Sequence, residues 1–261
     1  MAASAGKEAE RLTPHIVVLD AQADFDRAAA DWVCERMQRK PGTVLGLATG
    51  SSPVGLYREL VRRYREGRIS FRGVRTFNLD EYVGLPPGHP QSYTRFMAEH
   101  LFDHVDIDRS RAHLPRGDCA DPQAEALRYE ALLAEYGPID AQVLGIGTNG
   151  HIGFNEPGTP FSARTHVVEL TEETRTSNAR FFASPDEVPR RAITMGIANI
   201  LESREILLLA RGPRKVEALR RSFCEPPTPD VPGSALQHHP RVTLLLDRAA
   251  AQGLDAVPAG R

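Results

Sequence analysis

Short, nearly continuous apolar runs recur along this chain, and most are followed by a stretch with helical periodicity. His15-Ile-Val-Val-Leu19, Val44-Leu-Gly-Leu-Ala48, Arg75-Thr-Phe-Asn-Leu79, Ala141-Gln-Val-Leu-Gly-Ile146, Glu205-Ile-Leu-Leu-Leu-Ala210 and Val242-Thr-Leu-Leu-Leu246 are the runs. Strands apolar on both sides must be covered on both faces, which is the condition of parallel strands joined by crossover helices. The intervening stretches read as helices over Ala23–Met37, Val54–Glu66, Ser92–His104, Pro122–Tyr136 and Pro213–Arg221. In the first of these, Phe25, Ala29, Trp32, Val33 and Met37 fall on one helical face. Pro53 suits the first turn of the second, with Ser51 or Ser52 able to cap it. The pattern predicts an α/β fold: a doubly wound, mostly parallel sheet with helices on both faces, a Rossmann-like three-layer sandwich.

Length and charge narrow the function classes. A chain of 261 residues has ample material for one large core, expected over residues 13–251 with loose tails at 1–12 and 252–261. A formal net charge of −2 argues against a nucleic-acid partner, and no apolar run is long enough for a membrane span. Met1–Leu12 is small and charged and reads as a tail rather than an address. Cys34, Cys119 and Cys224 are few and far apart, which fits a reducing cytoplasm and gives neither a disulfide framework nor a zinc site. His238 and His239 are adjacent, so their side chains point apart and do not suit one metal.

Three polar segments fall where strands end, and parallel sheets bind ligands at the carboxyl ends of their strands. Thr49-Gly50-Ser51-Ser52 opens a helix, so its amides, hydroxyls and helix dipole suit a phosphate. It matches neither the dinucleotide fingerprint nor the Walker A pattern, and a plain capped turn is the alternative. Arg180 and Lys215 can complete a dianion site, although each alone also fits a solvated surface charge. Asp80 and Glu81 close the third strand; successive strand residues face opposite ways, so one of the two is expected to reach a shared crevice. A carboxylate there can abstract a carbon-bound proton if burial raises its pKa, while a helix cap or an ion pair is the plainer role. Finally, Gly145-Ile-Gly-Thr-Asn-Gly-His-Ile-Gly-Phe-Asn-Glu-Pro157 places Asn149, His151 and Glu156 among four glycines that let backbone approach a ligand. A histidine there moves protons near neutral pH, and a neighbouring carboxylate sets its tautomer or raises its basicity. Residues 157–190 follow without strong strand signals and read as a lid, or as a long loop over the sheet edge. No Gly-x-Ser-x-Gly elbow is present, so a serine hydrolase fits poorly. Read together, these groups suit a phosphorylated small molecule whose neighbouring carbons exchange protons.

The same segments resemble the glucosamine-6-phosphate deaminase family. Gly46–Pro53, Phe77–Leu85 with His89–Tyr93, and Gly145–Pro157 carry the resemblance, supported by Ser162–Thr165, Thr174-Arg175, Asn178–Phe182 and Ala192–Gly196. It extends over roughly residues 15–247. The resemblance implies conversion of D-glucosamine 6-phosphate and water to D-fructose 6-phosphate and ammonia, with no metal or organic cofactor. It implies that Asp80 is the base at C2, that His151 opens the ring assisted by Glu156 and Asn149, and that Thr49–Ser52, Arg180 and Lys215 hold the phosphate. Two departures stand out. Asn149 occupies a position that is Asp in the hexameric members, so Glu156 is left as the acidic partner of His151 and the expected source of its basicity. His166 and Val168 replace the Arg-x-Lys pair of the allosteric members, so an N-acetylglucosamine 6-phosphate effector site is not expected. The chain also ends soon after its last strand, and a monomer or small homo-oligomer is expected. Related 6-phosphogluconolactonases share the fold and the glycine-rich loops, and a non-catalytic sugar-phosphate sensor would keep the phosphate loop while losing Asp80, His151 and Glu156.

Overall fold

The computed structural model describes residues 12–254. Its ten strands are β1 (His15–Val18), β2 (Val44–Leu47), β3 (Arg75–Asn78), β4 (Asp80–Tyr82), β5 (Ala112–His113), β6 (Ala141–Leu144), β7 (His166–Glu169), β8 (Arg191–Thr194), β9 (Ile206–Ala210) and β10 (Val242–Leu246). The helices are α1 (Gln22–Arg39), α2 (Val54–Arg65), α3 (Tyr93–His100), α4 (Pro122–Tyr136), α5 (Glu172–Asn178), α6 (Ile197–Leu201), α7 (Val216–Phe223) and α8 (Arg248–Ala251).

Seven strands form a parallel sheet in the order β1-β10-β9-β6-β2-β3-β5. From β2 the chain winds outward through β3 to β5, then returns to the other side of β2 and winds through β6, β9 and β10. The winding direction therefore reverses between β2 and β6, and a crevice opens beyond their carboxyl ends. Alternating side chains feed two cores. Leu45, Leu47, Val143, Leu207 and Leu209 pack with Phe25, Leu56, Leu60 and Met97 on one face. Val44, Phe77, Leu144, Leu208 and Leu244 pack with Tyr129, Leu133, Leu219 and Phe223 on the other. Both faces of the sheet are thus buried, as the unbroken apolar runs require.

Three findings differ from the sequence reading. Residues 157–190 are not a bare loop: β4, β8 and β7 pair antiparallel in a second sheet, with α5 following β7. The helix expected from Pro213 begins as a tight 3-10 turn over Pro213–Lys215 and becomes α-helical at Val216. Gln252–Leu254, expected in the C-terminal tail, is a 3-10 turn whose Leu254 is buried in the second core. Gly253 makes that turn fit, because a side chain there would meet the Val216 carbonyl at 2.4 Å. The rest of the two expected tails, residues 1–11 and 255–261, lies outside the described residues. Among the described residues, no helix is long and apolar enough to cross a membrane.

Candidate active site

A cleft of about 520 Å³ occupies the crevice beyond β2 and β6. The β2 end supplies Thr49–Ser52, the β3–β4 junction supplies Asp80, and the β6 end supplies Asn149 and His151. Arg180 reaches it from the covering segment and Lys215 from the turn before α7. Of the catalytic and phosphate-holding residues that the resemblance implies, Glu156 alone does not line the cleft; it lies directly behind Asn149 and His151.

The phosphate-type loop keeps its donors unspent. Pro53 is the N-cap of α2 and no side chain caps that helix, so neither Ser51 nor Ser52 has the capping role open to it in the sequence. The first-turn amides and both serines are left for a ligand. Gly50 turns the loop at φ +87°, a conformation natural only to glycine. Lys215 donates from Nζ to the Ile146 carbonyl at 2.5 Å. Burial pushes its pKa down, and the nearby charges of Arg214 and Arg180 add to that. Arg180 is exposed, with its guanidinium 4.7 Å from the centre of the Phe181 ring. Cations crowded in this way favour an anion between them.

Asp80 and Glu81 have opposite surroundings, although both are buried. Glu81 accepts hydrogen bonds from the amides of Tyr82, Tyr93 and Thr94 and from the Thr94 hydroxyl, at 2.8–3.1 Å. It anchors the start of α3, the plainer role weighed for this pair. Asp80 accepts no hydrogen bond from any described side chain or amide. Burial, with a smaller contribution from the Glu81 charge, pushes its pKa up to about 8. An unpartnered carboxyl facing a cleft with a pKa that close to neutrality holds its proton in the empty site and gives it up when a positive charge docks beside it, which makes it a base on demand.

The histidine loop is fixed from below and from the side. Gly147 donates its amide to the His151 carbonyl at 2.8 Å, closing the turn. Gly147 must lack a side chain, since a Cβ there would sit 2.4–2.6 Å from the His151 ring atoms. Phe154 donates its amide to the Thr194 hydroxyl at 3.1 Å, and Asn155 donates from Nδ2 to the carbonyls of Ile152 and Met195. Thr194 is the β8 partner of Asp80, so the end of β8 ties the histidine loop to the carboxylate.

The His151 environment departs from expectation in one respect. Glu156 Oε2 lies 3.7 Å from His151 Nδ1, close enough for charge attraction but longer than a hydrogen bond. Asn149 bridges the two: Nδ2 donates to Glu156 Oε2 at 3.2 Å, and Oδ1 accepts from the His151 amide at 3.1 Å. The sequence points to Glu156 raising His151's basicity. Glu156 does act in that direction, but burial outweighs it and the His151 pKa lies below the ordinary value. His151 is therefore neutral at neutral pH. With Nδ1 toward Glu156, Nε2 is the nitrogen presented to the cleft.

Sequence reasoning missed an aromatic wall. Tyr82, Tyr93, Phe154 and Phe182 line the cleft, with ring centroids 4.9–6.0 Å apart for Tyr82–Tyr93, Tyr82–Phe154, Tyr82–Phe182 and Tyr93–Phe154. They come from β4, α3, the histidine loop and the covering segment, so no local spacing links them.

The site sits in a familiar frame. Residues 20–245 match the family model described as glucosamine-6-phosphate isomerases/6-phosphogluconolactonase. The chain belongs to this family. It is 52% identical to the glucosamine-6-phosphate deaminase of Rhodopirellula baltica over 92% of this chain and 97% of that one. It is 54% identical to the glucosamine-6-phosphate deaminase of a Geobacillus species, over 87% and 90% of the two chains. A solved monomeric glucosamine-6-phosphate deaminase superposes with a TM-score of 0.90 at 46% identity, covering 92% of this chain and 99% of that chain. A 6-phosphogluconolactonase from Thermotoga maritima superposes at 0.73 with 19% identity over 90% and 100% of the chains, a likeness of fold alone. The family thus spans two chemistries, and the cleft must discriminate between them.

Proposed function

We propose that this protein converts D-glucosamine 6-phosphate and water to D-fructose 6-phosphate and ammonia. The observation that carries this reading is Asp80, a buried and unpartnered carboxylate in the same cleft as a neutral histidine and an open anion cradle. A lactone hydrolase needs one base to activate water and leaves Asp80 without a task. A binding-only sensor leaves Asp80, His151 and Glu156 all without one.

The phosphate rests on Thr49–Ser52, with Lys215 and Arg180 supplying charge. His151 Nε2 takes the proton of the C1 hydroxyl and passes it to the ring oxygen as the C1–O5 bond breaks, giving the open-chain aldehyde. Asp80 then removes the C2 proton while the C2 ammonium passes one of its protons to the aldehyde oxygen, which yields the enolamine. The substrate's ammonium at C2 favours the ionised carboxylate as it docks, since an adjacent positive charge offsets the burial that holds the proton on Asp80. Asp80 returns the proton to C1, forming the imine at C2, and water displaces ammonia from it. Each positioned proton transfer is worth about 10²- to 10⁴-fold in rate.

Residues 157–190 act as the lid of this cleft, excluding water from the enolamine. Its lining residues Thr174, Asn178, Arg180 and Phe182 support that role. The molecule works in the cytoplasm as a monomer or small homo-oligomer with hyperbolic kinetics. Val168 packs with the aromatic wall rather than facing an anion, so N-acetylglucosamine 6-phosphate leaves the rate curve unchanged. The deciding assay supplies glucosamine 6-phosphate and measures both products. Equal amounts of ammonia and fructose 6-phosphate support the reading. Hydrolysis of 6-phosphogluconolactone without ammonia release from the amino sugar would replace it with the lactonase.

A further inference from the structure

Glu156 is held from two sides, and only one of them belongs to the histidine loop. Asn149 holds Oε2. The other oxygen, Oε1, accepts from the Thr171 hydroxyl at 3.2 Å and from the Thr171 amide at 3.4 Å. Thr171 is the N-cap of α5, and its hydroxyl accepts from the Thr174 amide at 3.2 Å. It also lies 3.1 Å from the hydroxyl of Thr174, a buried residue that lines the cleft. A hydroxyl carries one hydrogen. A carboxylate is the stronger acceptor, so the Thr171 hydrogen is assigned to Glu156 and the Thr174 hydroxyl to donation toward Thr171, which gives a directed chain from the cleft wall through the cap to the carboxylate.

We propose that Thr171 is a positioning residue for ring opening: the N-cap of the covering helix orients Glu156 so that Oε2 faces His151 Nδ1. This rests on the deaminase reading. Thr171 touches no substrate and acts through Glu156, whose side chain is 7% exposed and can turn to few other partners. The carboxylate opposite Nδ1 selects the tautomer with its proton on Nδ1 and leaves Nε2 as the base. Bonds of 3.2–3.4 Å to Oε1 and a 3.7 Å approach to Nδ1 are long, as catalytic contacts are before substrate settles the site. Seating α5 over substrate shortens them together, so covering the cleft and arming the histidine are one motion.

Three variants separate capping from orientation. Thr171→Val removes both functions, Thr171→Ser keeps both, and Thr171→Asp keeps the cap while replacing the donor with a second acceptor. With glucosamine 6-phosphate, kcat is expected to fall about ten- to a hundredfold in Thr171→Val and Thr171→Asp, as for loss of a hydrogen bond to a charged group. Thr171→Ser is expected to retain kcat within about threefold. Affinity for sorbitol 6-phosphate, which has no ring to open, is expected to stay within about twofold throughout. A Thr171→Asp enzyme with full kcat would reduce Thr171 to a cap and overturn the proposal, as would parallel loss of kcat and sorbitol 6-phosphate affinity. A readout independent of turnover is the ¹⁵N spectrum of labelled histidine, with His151 assigned by difference from His151→Asn. The wild type is expected to hold the Nδ1–H tautomer, and Thr171→Val a mixture. Identical His151 shifts in both would reject the proposal even if the wild type released no ammonia, an outcome that would reject the deaminase reading separately.

Discussion

Two adjacent carboxylates that open β4 carry different tasks, and the difference is made by hydrogen bonds. Glu81 has four donors and serves structure; Asp80 has none and keeps its proton to about pH 8. In the unfolded chain Asp80 ionises near pH 4, so between there and about pH 8 the folded state binds more protons than the unfolded one. Asp80 accordingly costs stability progressively as pH rises through that window. Asp80→Asn removes the cost: the melting temperature is expected to rise, by a margin that is small at pH 4 and largest at pH 8, while turnover falls about 10²- to 10⁴-fold. An equal gain at both pH values would place the stabilisation elsewhere. Gly147 gives a second test at this scale. Gly147→Ala drives a methyl into the His151 ring, and about 1–3 kcal/mol of strain or a displaced imidazole should follow, read as reduced turnover with little change in phosphate affinity. Asp80 and the Thr49–Ser52 and Gly145–Pro157 loops were legible because each sits where an apolar run stops, and stops mark carboxyl ends; Arg180, in a turn after α5, had no such signal. What burial does to His151 was not legible, because desolvation comes from residues distant in sequence.

The elements divide by how local their causes are. Six of the seven strands of the large sheet could be read from their apolar runs, since a strand buried on both faces carries its own signature. The β4–β8–β7 sheet could not. Its strands are short, β7 is only half-buried, and each is defined by antiparallel partners far along the chain. Edge strand β5 went unread for the same reason: it is two residues long and set by its neighbours. Its His113 lies 4.8 Å from the Phe77 ring and stacks 5.8 Å from Tyr136, with Arg75 2.7 Å from Nε2. Burial, and then the Arg75 charge, lowers its pKa to about 4. Between about pH 4 and 6.5 the unfolded chain therefore binds the extra proton, and this edge loses stability as pH falls through that window. His113→Phe keeps a ring in the stack and cannot be protonated. Its melting temperature is expected to drop less than the wild type's between pH 6.5 and 4.5, and a matching drop would clear His113 of the acid sensitivity.

At the scale of the molecule, the cleft joins two bodies that draw on separate cores. The large sheet is packed on both faces by two extensive clusters. The small sheet depends on Tyr82, Leu85, Phe154, Leu170 and Ala192, with Tyr93, Val168 and Phe182 against them. Asp80 and the histidine loop meet where the two bodies join, at Thr194 and Met195, while α5 follows β7 of the small sheet and reaches the histidine loop through Thr171–Glu156 and Glu173–Thr148. Weakening the small cluster should therefore free the cover without unfolding the large sheet. Leu170→Ala truncates one of the buried residues of that cluster and costs about 2–5 kcal/mol of local packing. Amide exchange is expected to quicken across β7, α5 and β8 while β2, β6 and β9 stay as protected as in the wild type. KM for the amino-sugar phosphate is expected to rise, because Arg180 and Phe182 ride on the loosened segment. Uniformly faster exchange in both sheets would mean that the molecule opens as one cooperative unit, and the separate small core would then have no role in moving a lid.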